Sequence, residues 1–80
     1  MTVELLFFGK VKEIAGTRTL RMELPYGTSV AVLRVVLSER YTGLDAGLQY
    51  AVAINEVYAE NQQIIKEGDA VAILPPVSGG

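Results

Sequence analysis

Among its 80 residues the chain has no cysteine and no histidine. Without cysteine no disulfide can staple the fold, and no thiol can act as nucleophile or metal ligand. Without histidine the commonest general base and the commonest metal ligand are both missing. A metal site of the zinc type, a Ser-His-Asp triad and a Cys-His pair are therefore excluded from this chain alone. Any chemistry it takes part in must draw most of its catalytic groups from a partner. An excess of positive charge is lacking as well. Seven Lys and Arg against nine Asp and Glu leave a formal net charge of −2, which argues against a nucleic-acid partner needing a basic face. Lys10, Lys12, Arg18 and Arg21 give the first quarter a local positive bias, of the kind that surface side chains commonly supply. No apolar run reaches the ~20 residues of a transmembrane helix. Met1-Thr2-Val3-Glu4 has an acid where a secretory signal carries a basic region. The expectation is a cytoplasmic protein with no membrane partner.

Half of the residues are hydrophobic and 20% are charged, a balance that suits one compact domain near the lower limit for a single core. Val3 to Phe8 is a β-favouring run closed by Gly9 and reads as a strand. Leu20, Met22 and Leu24 alternate with Thr19, Arg21 and Glu23, the period of a half-buried strand. Between these, Val11, Ile14 and Ala15 suggest one irregular helical turn ended by Gly16. Pro25-Tyr26-Gly27 breaks the chain. Thr28 or Ser29 is placed to cap a helix in which Val30, Leu33, Val36, Leu37 and Tyr41 share a face, with Arg34, Glu39 and Arg40 largely opposite and Gly43 as the stop. Tyr50 to Ile54 is the next strand, with a turn at Asn55-Glu56 and a short return through Val57-Tyr58. Gln63-Ile64-Ile65 makes a tucked turn, Lys66 to Asp69 a polar loop, and Ala70 to Leu74 the last strand.

Strands at both ends around one main helix imply an α+β fold with a mixed sheet, the β-grasp arrangement. The first and last strands would be central and parallel, as their near-continuous apolar character suggests. The helix covers one face of such a sheet, so apolar side chains on the other face need an explanation.

The chain closes on Pro75-Pro76-Val77-Ser78-Gly79-Gly80. A terminal glycine pair arises by chance in roughly 0.5% of chains at average glycine usage. Lacking Cβ atoms, it can thread a channel too narrow for other residues and present the α-carboxylate to an enzyme. A frayed end or a cloning remnant is the alternative.

Gly68 to Gly80, with Pro-Pro-Val-Ser before the glycines, resembles the C-terminal signature of the small subunits of molybdopterin synthases. Leu6 to Gly16 is similar to that family's first strand and following turn, and Val52-Ala53-Ile54-Asn55 to its third strand. The resemblance spans nearly the whole chain. It implies a ubiquitin-like sulfur carrier with a β-grasp domain at 1–74 and a sulfur-carrying tail at 75–80. An adenylyltransferase related to ubiquitin-activating enzymes would use ATP to adenylate the Gly80 carboxylate, and a sulfur source would convert it to a thiocarboxylate. The tail, with Pro75, Pro76, Val77, Ser78 and Gly79 threading a partner's channel, would deliver sulfur to a cyclic pterin precursor held by the large subunit of a heterotetramer. The product is the dithiolene that holds molybdenum or tungsten. On this reading the chain is no enzyme on its own and holds no metal and no permanent cofactor.

The chemistry is consistent with the residues. The sulfur sits on the main chain, so no cysteine is needed, and the partner supplies the acid–base groups. The proline pair keeps the root of the tail extended, and from Pro75 to Gly80 the chain can reach roughly 20 Å. Phe7 and Phe8 must point to opposite faces, as must Ile73 and Leu74. The resemblance assigns Phe8 and Leu74 to the outward face and to the large subunit, where each is worth roughly 1.5–3 kcal/mol of burial; a loop sheltering them is the alternative. Lys12 and Glu13 match polar positions near that surface, as interface ion pairs or as solvated charges. Many relatives carry aromatic residues where this chain has Ile73-Leu74, which bears on partner selectivity. Carriers for thiamine thiazole or tRNA thiolation, a ubiquitin-type modifier, and a β-grasp binding module with an inert tail are the competing readings.

Overall fold

The computed structural model describes residues 1–44 and 49–76. The elements run β1 (Thr2–Phe7), α1 (Gly9–Ala15), β2 (Thr19–Glu23), α2 (Val30–Arg40), β3 (Ala51–Ile54), β4 (Val57–Tyr58) and β5 (Ala70–Leu74). The sheet order is β2-β1-β5-β3-β4. β1 and β5 are parallel neighbours, and the remaining pairs are antiparallel. This is the β-grasp arrangement that the order of elements implies.

Alternation along the strands sorts the two faces. Val3, Leu5 and Phe7 of β1 and Val71 and Ile73 of β5 are almost fully buried, and they meet Val30, Leu33 and Leu37 of α2 in one core. Tyr41 reaches the same core and sets its ring edge-on to Phe7, with centroids 5.9 Å apart. The opposite positions of β1, Thr2 and Glu4, are exposed and Leu6 is half-buried.

α2 begins where the sequence allows it. Of the two candidate caps, Ser29 is the one used: its hydroxyl accepts from the Val32 N–H at 3.2 Å. Thr28 is buried and donates to the Pro25 carbonyl. The next free amides of the helix, Val30 and Ala31, donate to the carbonyls of Gln63 and Asn61 at 2.9 Å. The tucked turn therefore satisfies the helix N-terminus, where four amides lack partners within the helix. At the other end α2 stops at Tyr41, whose N–H reaches the Leu37 carbonyl.

Gly43 is not that stop. A Cβ there would lie 2.8 Å from Cγ2 of Ile14, so the bare backbone is the surface against which α1 packs. α1 itself exceeds the single irregular turn that its sequence suggests, because Val11 is fully buried and anchors seven helical residues. Gly16 ends it in the left-handed region, as expected. Arg34 also departs from the polar outer face. Its guanidinium lies 4.7 Å from the Tyr50 ring centroid, and it donates to the Tyr50 carbonyl and to the Asn61 side chain. Arg34 thus ties α2 to the chain entering β3.

The Asn55-Glu56 turn has φ values of 51° and 71°, the left-handed pair of a tight two-residue hairpin. Asn55 suits it twice. Asn tolerates that conformation, and its side-chain oxygen accepts from the Ala70 N–H while its amide donates to Asp69.

Candidate functional site

The candidate site is the corner where β1 and β5 both end. Their parallel register pairs Phe7 with Ile73, and the Phe8 N–H donates to the Ile73 carbonyl at 3.2 Å. Phe8 is therefore fixed beside the start of the tail. It is 46% exposed, on the side opposite buried Phe7, as strand alternation requires. Leu74 and Pro75 are half-buried and Pro76 is exposed. Val77, Ser78, Gly79 and Gly80 lie outside the described residues.

α1 follows directly and brings Lys12 to the same corner, with Glu13 next to it on the helix, both exposed. Glu13 is 4.0 Å from Lys10 on its own helix, and both are largely exposed, so this pair is solvated. Leu6, Phe7, Phe8, Gly9, Lys12, Arg18 and Thr19 line a shallow cavity of ≈ 250 Å³ beside the tail root. Each end of the sheet carries charge of both signs, with Glu13 beside Lys10 on α1 and Arg21 in register with Glu4 of β1. Lys10, Lys12 and Arg18 lie at the tail end, since the Phe7 N–H donates to the Arg18 carbonyl. Glu23, Glu67 and Asp69 lie at the opposite end, around the start of β1 and β5. Burial raises the Tyr50 phenol above its usual pKa against the pull of Arg34, and the Glu67 carboxylate raises that of Tyr26; neither group belongs to the corner.

The open face of the sheet runs into this corner. In register, Leu6 pairs with Ala72, Ala72 with Ala53 and Ala53 with Tyr58, while Leu74 pairs with Ala51. The middle of that face is thus paved with alanines and edged by leucines and an exposed tyrosine. This part of the face is mainly apolar, bordered by the Tyr58 hydroxyl on one side and by Thr19 and the Glu4–Arg21 pair on the other, which suits docking against a second protein. Among the described residues no helix is long and apolar enough to cross a membrane.

A sequence profile of the ThiS family matches residues 5–80, which includes both terminal glycines. The chain belongs to the ThiS family. A relative in Chlamydomonas reinhardtii, named as a molybdopterin synthase sulfur carrier subunit, is 34% identical, and the match covers 100% of both chains. The solved complex of subunits 1 and 2 of the molybdopterin-converting factor from Helicobacter pylori contains a chain 30% identical to this one, with a TM-score of 0.70 and 100% of both chains covered. SAMP1 from Haloferax volcanii, a small archaeal modifier protein, superposes with a TM-score of 0.84 at 26% identity over 100% of both chains.

Phe8 and Lys12 line the cavity next to Gly9, which touches Pro75 directly after Leu74, whereas Glu13 stands on the exposed side of α1 beside Lys10. Sequence reasoning treated Gly9 only as the end of a strand. Gly9 has φ +54°, and a Cβ on it would lie 2.9 Å from Cγ of the Pro75 ring. A glycine between two apolar elements signals such a close approach, but the proline it meets is 66 residues further along the sequence.

Proposed function

We infer that this chain is the sulfur-carrier subunit of a molybdopterin synthase. What carries the reading is the match to the named sulfur-carrier subunit over the full length of both chains, together with a family profile that runs through Gly80. The apolar corner beside the tail root and the alanine-paved face support it by offering a docking surface for a large subunit. The partner seen with the related Helicobacter pylori chain is subunit 2 of the converting factor.

The proposed cycle balances as follows. In an activating enzyme, a Gly80 carboxylate oxygen attacks the α-phosphorus of ATP, and diphosphate leaves. The resulting acyl-adenylate is a far better electrophile than a carboxylate. A sulfur donor at the oxidation level of hydrosulfide attacks the acyl carbon and displaces AMP, which leaves a thiocarboxylate on Gly80. In the large subunit the thiocarboxylate sulfur forms a C–S bond to a carbon of the pterin precursor as a C–O bond at that carbon breaks, and the departing oxygen takes a proton from the large subunit. Water then cleaves the acyl C–S bond, so sulfur stays on the pterin and Gly80 returns to carboxylate. Two rounds supply the two sulfurs of a dithiolene. Gly79, Ser78 and Val77 span the channel, Pro75 and Pro76 hold its approach extended, and Phe8 and Leu74 with Lys12 and Glu13 meet the large subunit. The chain has neither His nor Cys, so the acid–base groups of the transfer are assigned to the partner. The assembly is a cytoplasmic heterotetramer of two carriers and two large subunits.

Reconstitution tests this reading. Thiocarboxylated carrier mixed with large subunit and pterin precursor should yield dithiolene, and the chain lacking Gly80 should yield none. Full product from the shortened chain would overturn it. The likeness to an archaeal modifier favours one second reading, in which the activated tail also forms amide bonds with lysines of other proteins. That reading predicts higher-mass conjugates carrying the Gly80 carbonyl, which a carrier for cofactor synthesis alone does not form.

A further inference from the structure

The tail must leave the sheet in a fixed direction if it is to enter a partner's channel, and the structure contains a device for this. Two observations meet at Gly9. Its φ of +54° is one that L side chains rarely adopt, and a Cβ there would lie 2.9 Å from Cγ and 3.6 Å from Cδ of Pro75. The ring of the first tail residue therefore rests on bare backbone. The residues on either side hold that backbone still. Phe8 is bonded to the Ile73 carbonyl, and the Lys12 N–H closes the first turn of α1 on the Phe8 carbonyl at 3.2 Å. α1 is anchored in turn by buried Val11 and by Ile14 packed on Gly43.

We propose that Gly9 is a positioning residue for sulfur transfer: it seats the Pro75 ring and so sets the direction in which the chain leaves the sheet. The inference rests on the sulfur-carrier reading and names the element of the fold that aims the tail. It also joins the tail to the docking corner, because Phe8, Gly9 and Lys12 are successive parts of one rigid segment. A partner that grips Phe8 and Lys12 thereby fixes the seat, and through Pro75 the angle at which the tail arrives. The proline has a physical reason to be at 75. Its ring fixes φ, so a seated ring passes its orientation on to the next peptide, which a freely rotating residue would not.

Two variants separate the seat from general strain. Gly9→Ala introduces both the clash and an unfavourable φ. Gly9→Asn keeps the Cβ and its clash, but Asn tolerates the left-handed region. Each is thiocarboxylated and mixed with saturating large subunit and pterin precursor, and the single-turnover rate of sulfur transfer is read beside the dissociation constant for the large subunit and the melting temperature. Both should slow transfer about tenfold or more, as misplacement of a reacting group does. The dissociation constant should change by less than about threefold, since uniform binding is intact. The melting temperature should fall less for Asn than for Ala. Pro75→Ala removes Cγ and Cδ and leaves Cβ, 3.7 Å from the added atom, so its loss and that of Gly9→Ala should not add in the double variant. Transfer at the wild-type rate in both Gly9 variants, or additive losses, overturns the proposal. If the wild-type chain itself cannot be thiocarboxylated or transfers nothing, the sulfur-carrier reading fails instead, so the two failures are distinguishable.

Discussion

The two faces of the sheet are built from different residues although they share the same strands. On the covered face, β1 presents Val3, Leu5 and Phe7 and β5 presents Val71 and Ile73, all within 2% of full burial. On the open face the same strands present Leu6, Ala70, Ala72 and Leu74, all half-buried, together with exposed Thr2 and Glu4. Large side chains fill the space under α2 and supply the stability. Small ones pave a surface that stays flat, so that a partner can lie close to the backbone and to the tail root. The division teaches that burial in the free protein separates here by face and not by strand, and the proposed docking surface falls on the less buried face.

The sharpest way to break this comparison is a large-to-small change on each face. Leu5→Ala, on the covered face, should cost about 3–4 kcal/mol of stability in chemical denaturation, counting the cavity left behind. A loss under about 1 kcal/mol would mean the core repacks freely and the faces are not distinct. Phe8→Ala, on the other side of the same chain segment, should change stability by less than about 0.5 kcal/mol. Its cost should appear as about 2 kcal/mol, roughly thirtyfold, in the dissociation constant for the large subunit by calorimetry. The reverse pattern would make Phe8 a core residue.

A smaller effect is expected at the far end of the sheet. Asn55→Ala removes two side-chain hydrogen bonds to the start of β5 and places alanine at φ 51°, so stability should fall by about 1–2 kcal/mol. Thermal melting reads this, and an unchanged melting temperature would show that the hairpin is held by its strands alone. The smallest effect concerns Tyr50, whose proton is held more tightly in the folded state because burial disfavours the phenolate. The unfolded chain releases that proton near pH 10. Stability is therefore undiminished below about pH 10 and declines as pH rises through the raised folded value. Tyr50→Phe should flatten the decline, and an identical decline in the variant would assign it to other groups.

Much of this was legible in the sequence because it rests on local patterns. Period-two alternation locates β2, near-continuous apolar runs locate the parallel central pair, and a hydroxyl before an apolar helix narrows the cap to Thr28 or Ser29. Asn55-Glu56 announced its own turn. What escaped depends on distant contacts. The length of α1 is set by burial of Val11 and by Gly43, and Gly43 reads as a helix stop until Ile14 is seen against it. Arg34 reads as solvated because the ring and carbonyl it holds belong to Tyr50. Phe8, Leu74, Lys12 and Glu13 were placed on the outward corner by resemblance, and the strand alternation agrees for Phe8 and Leu74. Gly9 as a seat for Pro75 could not be read, since nothing local in either residue points to the other.

The central claim is that sulfur is carried on the main-chain carboxyl of Gly80, delivered from the open-face corner. Its most direct test is the intact mass of the protein after incubation with the activating enzyme, ATP and a sulfur donor. The account predicts replacement of one carboxylate oxygen by one sulfur, located on Gly80 by fragmentation and absent when that residue is deleted. An unchanged mass in a reaction where the activating enzyme consumes ATP on the chain, or sulfur found on any other residue, would contradict it.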